Sequence, residues 1–212
     1  VTGYIPELKG SGYDGVTVEH VLAMTSGAKW NEDYTDPKSD VVAMFSQPVP
    51  AGADPDAYFL AKLPREAAPG TKWVYKTGET NLIGLIVQRA TGKLLSDYAS
   101  EKLADAAGLE QSILWQTNMA GLNVGGCCLA MSLRDYGRVG QMLLEGAPGV
   151  VPTGWMARAT TPISNVGAPG FGYGYQFWTY PQGRWGLRGI FGQSVTIVPD
   201  KNAVVVFLSN WD

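Results

Sequence analysis

Pro69-Gly-Thr-Lys-Trp-Val-Tyr-Lys-Thr-Gly-Glu-Thr-Asn-Leu-Ile-Gly-Leu-Ile-Val-Gln-Arg-Ala-Thr-Gly92 is the stretch on which the fold of this chain turns. Pro69-Gly70 is a turn signal. Trp73-Val-Tyr75 reads as a short strand or extended lead-in. Leu82, Ile83, Leu85, Ile86, Val87 and Ala90 then recur with helical spacing and give a wide apolar face, and Gly92 closes the helix. A phenol, Tyr75, therefore stands just ahead of a loop and a helix, where it can project into a cleft.

Working outward, helices come first. Val16-Thr-Val-Glu-His-Val-Leu-Ala-Met24 is an amphipathic helix pattern, with Thr17 reading as the N-cap and Gly27 as the C′ residue of a short helix. Trp30 to Pro37 is polar, aromatic and irregular. Asp40 to Phe45 and Asp56 to Leu63 are expected helices, the second behind an Asp-Pro. Ser96 to Ala107 is another, closed by Gly108. Ser132 opens a further helix, with Asp135 in a Ser-x-x-Asp capping arrangement. The period then changes. Tyr173 to Tyr180, Trp185 to Phe191, Ser194 to Val198 and Ala203 to Leu208 are strand-like. Pro181-Gln-Gly-Arg184 and Pro199-Asp-Lys-Asn202 connect them as hairpins. Helices followed by an antiparallel meander indicate an α+β fold, not alternating βαβ units. One domain over residues 1–212 is expected, helical at about 15–146 and stranded at about 170–209.

The chain has 212 residues, 45% of them hydrophobic and 17% charged, which suits one globular domain or one large piece of a bigger domain. A net charge of -3 with no basic run lacks the electrostatic footprint of nucleic-acid binding. No apolar stretch approaches the roughly twenty residues that span a membrane, and no signal-peptide pattern is present. The opening Val1-Thr-Gly-Tyr4 has no initiator Met, so a fragment or a processed chain is expected. Cys127 and Cys128 are adjacent; a bridge between neighbours is strained, so two buried free thiols are the expected state. Free thiols suit a reducing compartment, and a bacterial-type cytoplasm is the expected location, with periplasm or secretion left open.

The single histidine, His20, excludes multi-histidine zinc sites, and the unspaced cysteines make no zinc knuckle. A Ser-His-Asp triad would have to use His20, which the helix pattern assigns to structure instead. There is no Gly-x-Ser-x-Gly elbow and no Walker loop. Ser26-Gly-Ala-Lys29 formally matches Ser-x-x-Lys. That motif needs a helical turn to bring the amine beside the hydroxyl, and here a helix is ending, so the match is read as accidental. Lys76 is read as a surface charge, and Asn81 as a structural hydrogen-bonding residue.

Four stretches read together carry a resemblance. They are Thr17-Val-Glu-His-Val-Leu-Ala-Met-Thr-Ser-Gly27, Pro69 to Asn81, Gly125-Gly126 leading to Ser132-Leu-Arg-Asp-Tyr-Gly-Arg-Val-Gly-Gln-Met-Leu-Leu-Glu-Gly146, and Gly189-Ile-Phe-Gly-Gln193. In this order and spacing the chain resembles the serine β-lactamase and penicillin-binding superfamily. Within it, the chain looks most like carboxylesterases and 6-aminohexanoate-dimer (nylon-oligomer) hydrolases, the latter especially over Trp30-Asn-Glu-Asp-Tyr-Thr-Asp-Pro37.

The resemblance implies a β-lactamase/transpeptidase-like fold, expected to be incomplete at both ends. It implies a serine hydrolase that cleaves small ester or amide substrates through an acyl-enzyme, without metal or cofactor. The nucleophile Ser and its Lys are expected outside this chain, on a segment preceding Val1 or on a complementary N-terminal fragment. Tyr75 falls on the base, and Gly189, Ile190, Phe191 and Gly192 on the strand that lines the site and offers backbone N–H groups to an oxyanion. Phe191 stands where related enzymes often have a polar residue. Tyr34 falls on a substrate-contacting tyrosine, with a plain loop aromatic as the other reading. Trp30 and Trp178 either wall the pocket or fill the core. The alternatives are a β-lactamase or D-Ala-D-Ala peptidase, against which the missing Lys-Thr-Gly argues, and a catalytically dead binding module of the same fold.

Overall fold

The computed structural model describes residues 1–210. By its contacts the chain divides into two compact units, one holding Val1–Ser96 and Trp115–Leu129, the other Asp97–Leu114 and everything from Ala130 onward. The helices read at 15–146 contribute to both units. The last of them packs with the strands, because its apolar stripe faces them.

The first unit is built around four helices: α1 (Val18–Leu22), α2 (Asp40–Ser46), α3 (Pro55–Leu60) and α4 (Thr77–Thr91). Helix α4 is central, with α1, α2 and α3 packed on it. Leu82, Leu85 and Ile86 are buried with Ile5, Leu8, Tyr13, Val21, Trp30 and Leu60 in one core. Removing each such side chain from water contributes about 1.5–3 kcal/mol. Gly92, at φ 67, closes α4 in the left-handed conformation, as expected. Two glycines let neighbours approach α4. A Cβ on Gly78 would lie 2.8 Å from the Trp30 ring, and one on Gly84 would lie 2.8 Å from Gly125 Cα.

At α1 the N-cap is the expected one and the C-terminal end departs from expectation. Thr17 is the N-cap, and its hydroxyl accepts from His20 N at 3.1 Å. His20 Nδ1 accepts in return from Thr17 N at 3.3 Å, so the only histidine serves the helix end. The helix stops at Leu22, and Met24, at φ 58, takes the left-handed turn assigned to Gly27. The lead-in 73–75 is extended but pairs as no strand. Cys127 and Cys128 are joined in a disulfide, with Cys128 exposed and Cys127 half-buried, which corrects the expectation of buried free thiols. Cys128, at φ 69, turns back on its neighbour and brings the sulfurs together. The argument from free thiols for a reducing compartment falls with it.

The second unit combines helices with an antiparallel sheet. The expected helix ending at Ala107 runs as α5 (Leu95–Ala99), a π-helical turn (Ser100–Ala104) and α6 (Asp105–Ala107), and Gly108 closes it at φ 63. Helix α7 (Leu133–Leu144) is capped by Ser132, whose hydroxyl accepts from Asp135 N at 3.1 Å. Asp135, fully buried, accepts from Glu110 N at 2.9 Å and Gln111 N at 3.2 Å, tying the chain after α6 to α7. These bonds hold its carboxyl below the usual range. Helix α8 (Trp155–Ala159) follows.

Two short strands, β1 (Leu114–Trp115) and β2 (Leu129–Ala130), precede six in sequential order: β3 (Ser164–Asn165), β4 (Gly172–Tyr173), β5 (Trp178–Tyr180), β6 (Arg184–Arg188), β7 (Ser194–Val198) and β8 (Ala203–Phe207). Trp185 pairs with Ile197, and Ile197 with Val204, so one face is apolar. Helix α7 covers it at Gly140, where a Cβ would lie 2.4 Å from Val204 Cγ1. Two expected strands are shorter than read. Tyr173 to Tyr180 is broken by a turn in which Gly174 N donates to Phe177 O at 2.9 Å and Gln176 takes φ 63. β6 stops at Arg188, because Gly189 N donates to Gln193 O at 2.8 Å and starts the hairpin into β7. No described helix is long and apolar enough to cross a membrane.

Candidate active site

The site candidates of the first unit converge on one carboxylate that sequence reading had not singled out. Trp30, Glu32 and Tyr34 alternate along an extended segment, which directs all three to one side. Glu32 Oε2 accepts from Thr77 N at 3.0 Å, at the first residue of α4. It also accepts from Trp30 Nε1. Glu32 Oε1 accepts from the Tyr34 hydroxyl at 2.8 Å and from Thr77 Oγ1. Tyr34 and Thr77 hydroxyls in turn lie 2.9 Å apart. A carboxylate at a helix N-terminus, accepting from the exposed N–H there, is favourably placed. The network locks the Trp30–Tyr34 segment onto the start of α4.

Trp30 belongs to the core and also bonds into the Glu32 network. It is buried, packs edge-on to Phe59 at 6.2 Å and lies over Gly78, while its indole N–H reaches Glu32. Tyr34 is 49% exposed, so its ring offers a surface beside the network. Its hydroxyl is pushed up to about 12, chiefly by burial, with the bond to and charge of Glu32 and the nearby Tyr75 adding to it against the Thr77 bond. Tyr75 is half-buried beside this group. Burial first, and the Glu32 charge second, raise its hydroxyl above the ordinary tyrosine value. Left to these surroundings, Tyr75 is a phenol at neutral pH.

Lys76 corrects the reading of a surface charge: it is 0% exposed. Its Nζ lies 2.9 Å from Glu79 Oε1 and 3.4 Å from Ser26 Oγ, and Ser26 also donates to Glu79. The backbone at Lys76 is extended, at φ -142, so successive side chains leave on opposite sides: Tyr75 toward the Glu32 network, Lys76 inward. Ser26, the serine of the Ser-x-x-Lys match, is fully buried, and its Oγ further accepts from Ala28 N at 3.1 Å. It lies outside any helical turn, and its amine partner is Lys76, not Lys29. Its hydroxyl therefore faces the interior and not solvent. Asn81, read as structural, accepts through Oδ1 from Gly125 N at 2.7 Å and Gly126 N at 3.2 Å.

Gly189, Ile190, Phe191 and Gly192 belong to the second unit and form the β6–β7 turn, not a strand; Ile190 is 52% and Phe191 54% exposed. Trp178, half-buried on β5, packs edge-on to Tyr173 at 5.2 Å. Among the described residues, no group of three or more His, Cys, Asp or Glu is arranged to hold a metal ion.

The family model described as Beta-lactamase matches residues 1–212. The chain belongs to that family. It is 36% identical to a 6-aminohexanoate-dimer hydrolase of Paenarthrobacter ureafaciens, an alignment that takes in 100% of this chain and 59% of the relative. A Bacillus anthracis structure bearing a provisional 6-aminohexanoate-dimer hydrolase name superimposes at a TM-score of 0.80 with 23% identity, over 98% of this chain and 59% of that one. EstCE1, a hydrolase with promiscuous acyltransferase activity, does so at 0.77 and 16% identity, over 99% and 72%. The chain thus spans 59% of the length of the curated relative it matches. These likenesses support the α+β, β-lactamase-type fold read from the four motif stretches.

Proposed function

We propose that the protein carrying these residues is a serine hydrolase that cleaves small esters or amides through an acyl-enzyme, with Tyr75 as its proton-transfer residue. The observation that carries this reading is Tyr75 itself, half-buried beside the Trp30–Glu32–Tyr34–Thr77 network in a chain of the Beta-lactamase family. In this reading Tyr75 takes the proton from the attacking serine hydroxyl. The serine oxygen bonds to the substrate carbonyl carbon, and the phenol then protonates the departing amine or alcohol. Water hydrolyses the acyl-enzyme. Tyr34 presents its hydroxyl to the substrate, held by Glu32 and Thr77.

Because Ser26 is sealed in the core, the nucleophile and the lysine that accompanies it are assigned to sequence outside these 212 residues, contiguous or on a complementary N-terminal fragment. Intact-mass measurement after treatment with a fluorophosphonate tests this. The full-length protein should gain one covalent adduct, on a serine outside this numbering. Labelling of Ser26, or of nothing, would overturn the reading. Tyr75→Phe in the full-length protein should lower ester and amide turnover by about 10²–10⁴-fold. Turnover within a few-fold of the parent would remove Tyr75 from the mechanism.

A further inference from the structure

We propose that Cys127–Cys128 is a reversible redox modification site, interconverted between disulfide and dithiol by small dithiols. Its state sets how the Gly125–Gly126 segment seats on the first turns of α4. The proposed hydrolysis uses neither sulfur. The pair is accessible, Cys128 being exposed and Cys127 half-buried, so a thiol reagent can reach it. The bridge closes a small ring around a single peptide bond. It does so at a residue, Cys128, held at φ 69, a left-handed conformation that residues with a side chain rarely adopt. Opening the ring releases that backbone.

The segment that would respond is packed against the candidate site. Gly125 N and Gly126 N, the first at 2.7 Å and the second at 3.2 Å, both donate to Asn81 Oδ1 on α4. A Cβ on Gly126 would lie 2.9 Å from Thr77 O and 3.0 Å from Thr77 Cγ2. Thr77 is the residue whose N–H and hydroxyl hold Glu32, and whose hydroxyl meets Tyr34. Downstream, Cys128 O accepts from Gln116 N at 3.1 Å, which fixes the other side of the ring. A single residue, Cys127, therefore separates the anchored Gly126 from a backbone whose freedom depends on the disulfide.

The chemistry balances with a dithiol as reductant. One of its thiolates attacks a cysteine sulfur, the S–S bond breaks, and a mixed disulfide forms. Its second thiol then displaces the remaining cysteine, so that the pair gains two electrons and two protons while the reagent leaves as a cyclic disulfide. The adjacent thiols so produced can jointly bind a trivalent arsenical: phenylarsine oxide forms two As–S bonds and releases one water.

The test is made on the full-length protein, as purified and after dithiothreitol. Before reduction, iodoacetamide and phenylarsine oxide should leave Cys127 and Cys128 unmodified. After reduction, both should be alkylated, or one arsenical should bridge them. Hydrogen exchange at Gly125, Gly126 and the Thr77–Asn81 turn should speed up by about tenfold or more on reduction and return on reoxidation. The Cys127→Ser/Cys128→Ser protein should show the faster exchange with or without reductant. Alkylation of both cysteines without reductant, or reduction that leaves exchange at these residues unchanged, would overturn the proposal. None of these readouts depends on hydrolysis, so they stand apart from the fate of the serine-hydrolase reading.

Discussion

Replacing Lys76 with Met tests the buried ion pair that underlies the start of α4. Lys76 Nζ and Glu79 Oε1 are 2.9 Å apart, and both side chains are 0% exposed. Met has a similar length and no charge, so the change removes the ammonium while leaving most of the stem packing. Glu79 would then keep only the Ser26 hydroxyl, and its Oε2, already buried without a partner, gains none. An uncompensated buried charge of this kind costs about 3–5 kcal/mol. Burial already raises the Glu79 carboxyl in spite of Lys76, and removing the ammonium raises it further. A carboxyl whose folded pKa exceeds its unfolded value of about 4.3 is stabilising in its protonated form below that value, and stability falls as pH rises through the folded pKa. The loss should therefore be close to the full ~3–5 kcal/mol near pH 8 and clearly smaller near pH 5, where Glu79 takes up a proton. Urea unfolding followed by tryptophan fluorescence measures it at both pH values. At pH 8 the melting temperature should drop by about 6–20 °C, from about 2–4 °C per kcal/mol for a chain of this size. Lys76→Met/Glu79→Leu, an apolar pair of similar volume, should recover most of the loss. A single-variant loss under about 1 kcal/mol at pH 8, or an equal loss at both pH values, would show that the pair is not a buried ion pair.

Glu32→Gln turns one of the two acceptor oxygens into a donor and should cost about 1–3 kcal/mol. With the negative charge gone, the Tyr75 phenol should titrate at lower pH, read from phenolate absorbance against a Tyr75→Phe control; an unchanged midpoint would remove Glu32 as a contributor to the shift and leave burial alone. Asp56, buried and near Asp54, has its carboxyl raised to about 6. Above that pH its ionisation costs the fold about 3 kcal/mol, so Asp56→Asn should gain stability relative to the parent as pH rises from about 4 to about 7, and a constant difference would contradict the assignment. Asn81→Ala removes the acceptor for two backbone N–H groups and should cost about 1–3 kcal/mol in denaturant unfolding, with a loss below about 0.5 kcal/mol counting against those bonds.

Features set by a few neighbouring residues were legible from sequence. Thr17 and Ser132 cap helices because a hydroxyl there meets an unpaired backbone N–H, and Gly92 and Gly108 end them because a left-handed residue suits glycine. The Beta-lactamase family was legible from four stretches in series. Features set by long-range packing were hidden. A lysine is ordinarily exposed, and nothing beside Lys76 announces that Ser26, fifty residues earlier, waits for it. The available signal was Glu79 at i+3 on a helix, together with the alternation that sends Lys76 away from Tyr75. Glu32 had a similar signal in its spacing from Trp30 and Tyr34. That spacing is a weak signal, because an acidic residue in a polar loop ordinarily faces water. β3 and β4 are each two residues long, too short for any periodicity to show.

The charges around Tyr75 constrain the mechanism more than its position does. Burial and Glu32 both favour the neutral phenol, and the lysine next to Tyr75 in sequence is turned into the core and paired with Glu79. Tyr75 therefore cannot draw on Lys76 to become a phenolate. A tyrosine in these surroundings accepts a proton from a serine only if a second cation stands close enough to outweigh Glu32, or if it passes one proton on as it receives another. In the proposed hydrolysis, the lysine of a Ser-x-x-Lys pair would meet either requirement, and Glu32 would serve to fix Tyr34 and Thr77 beside Tyr75.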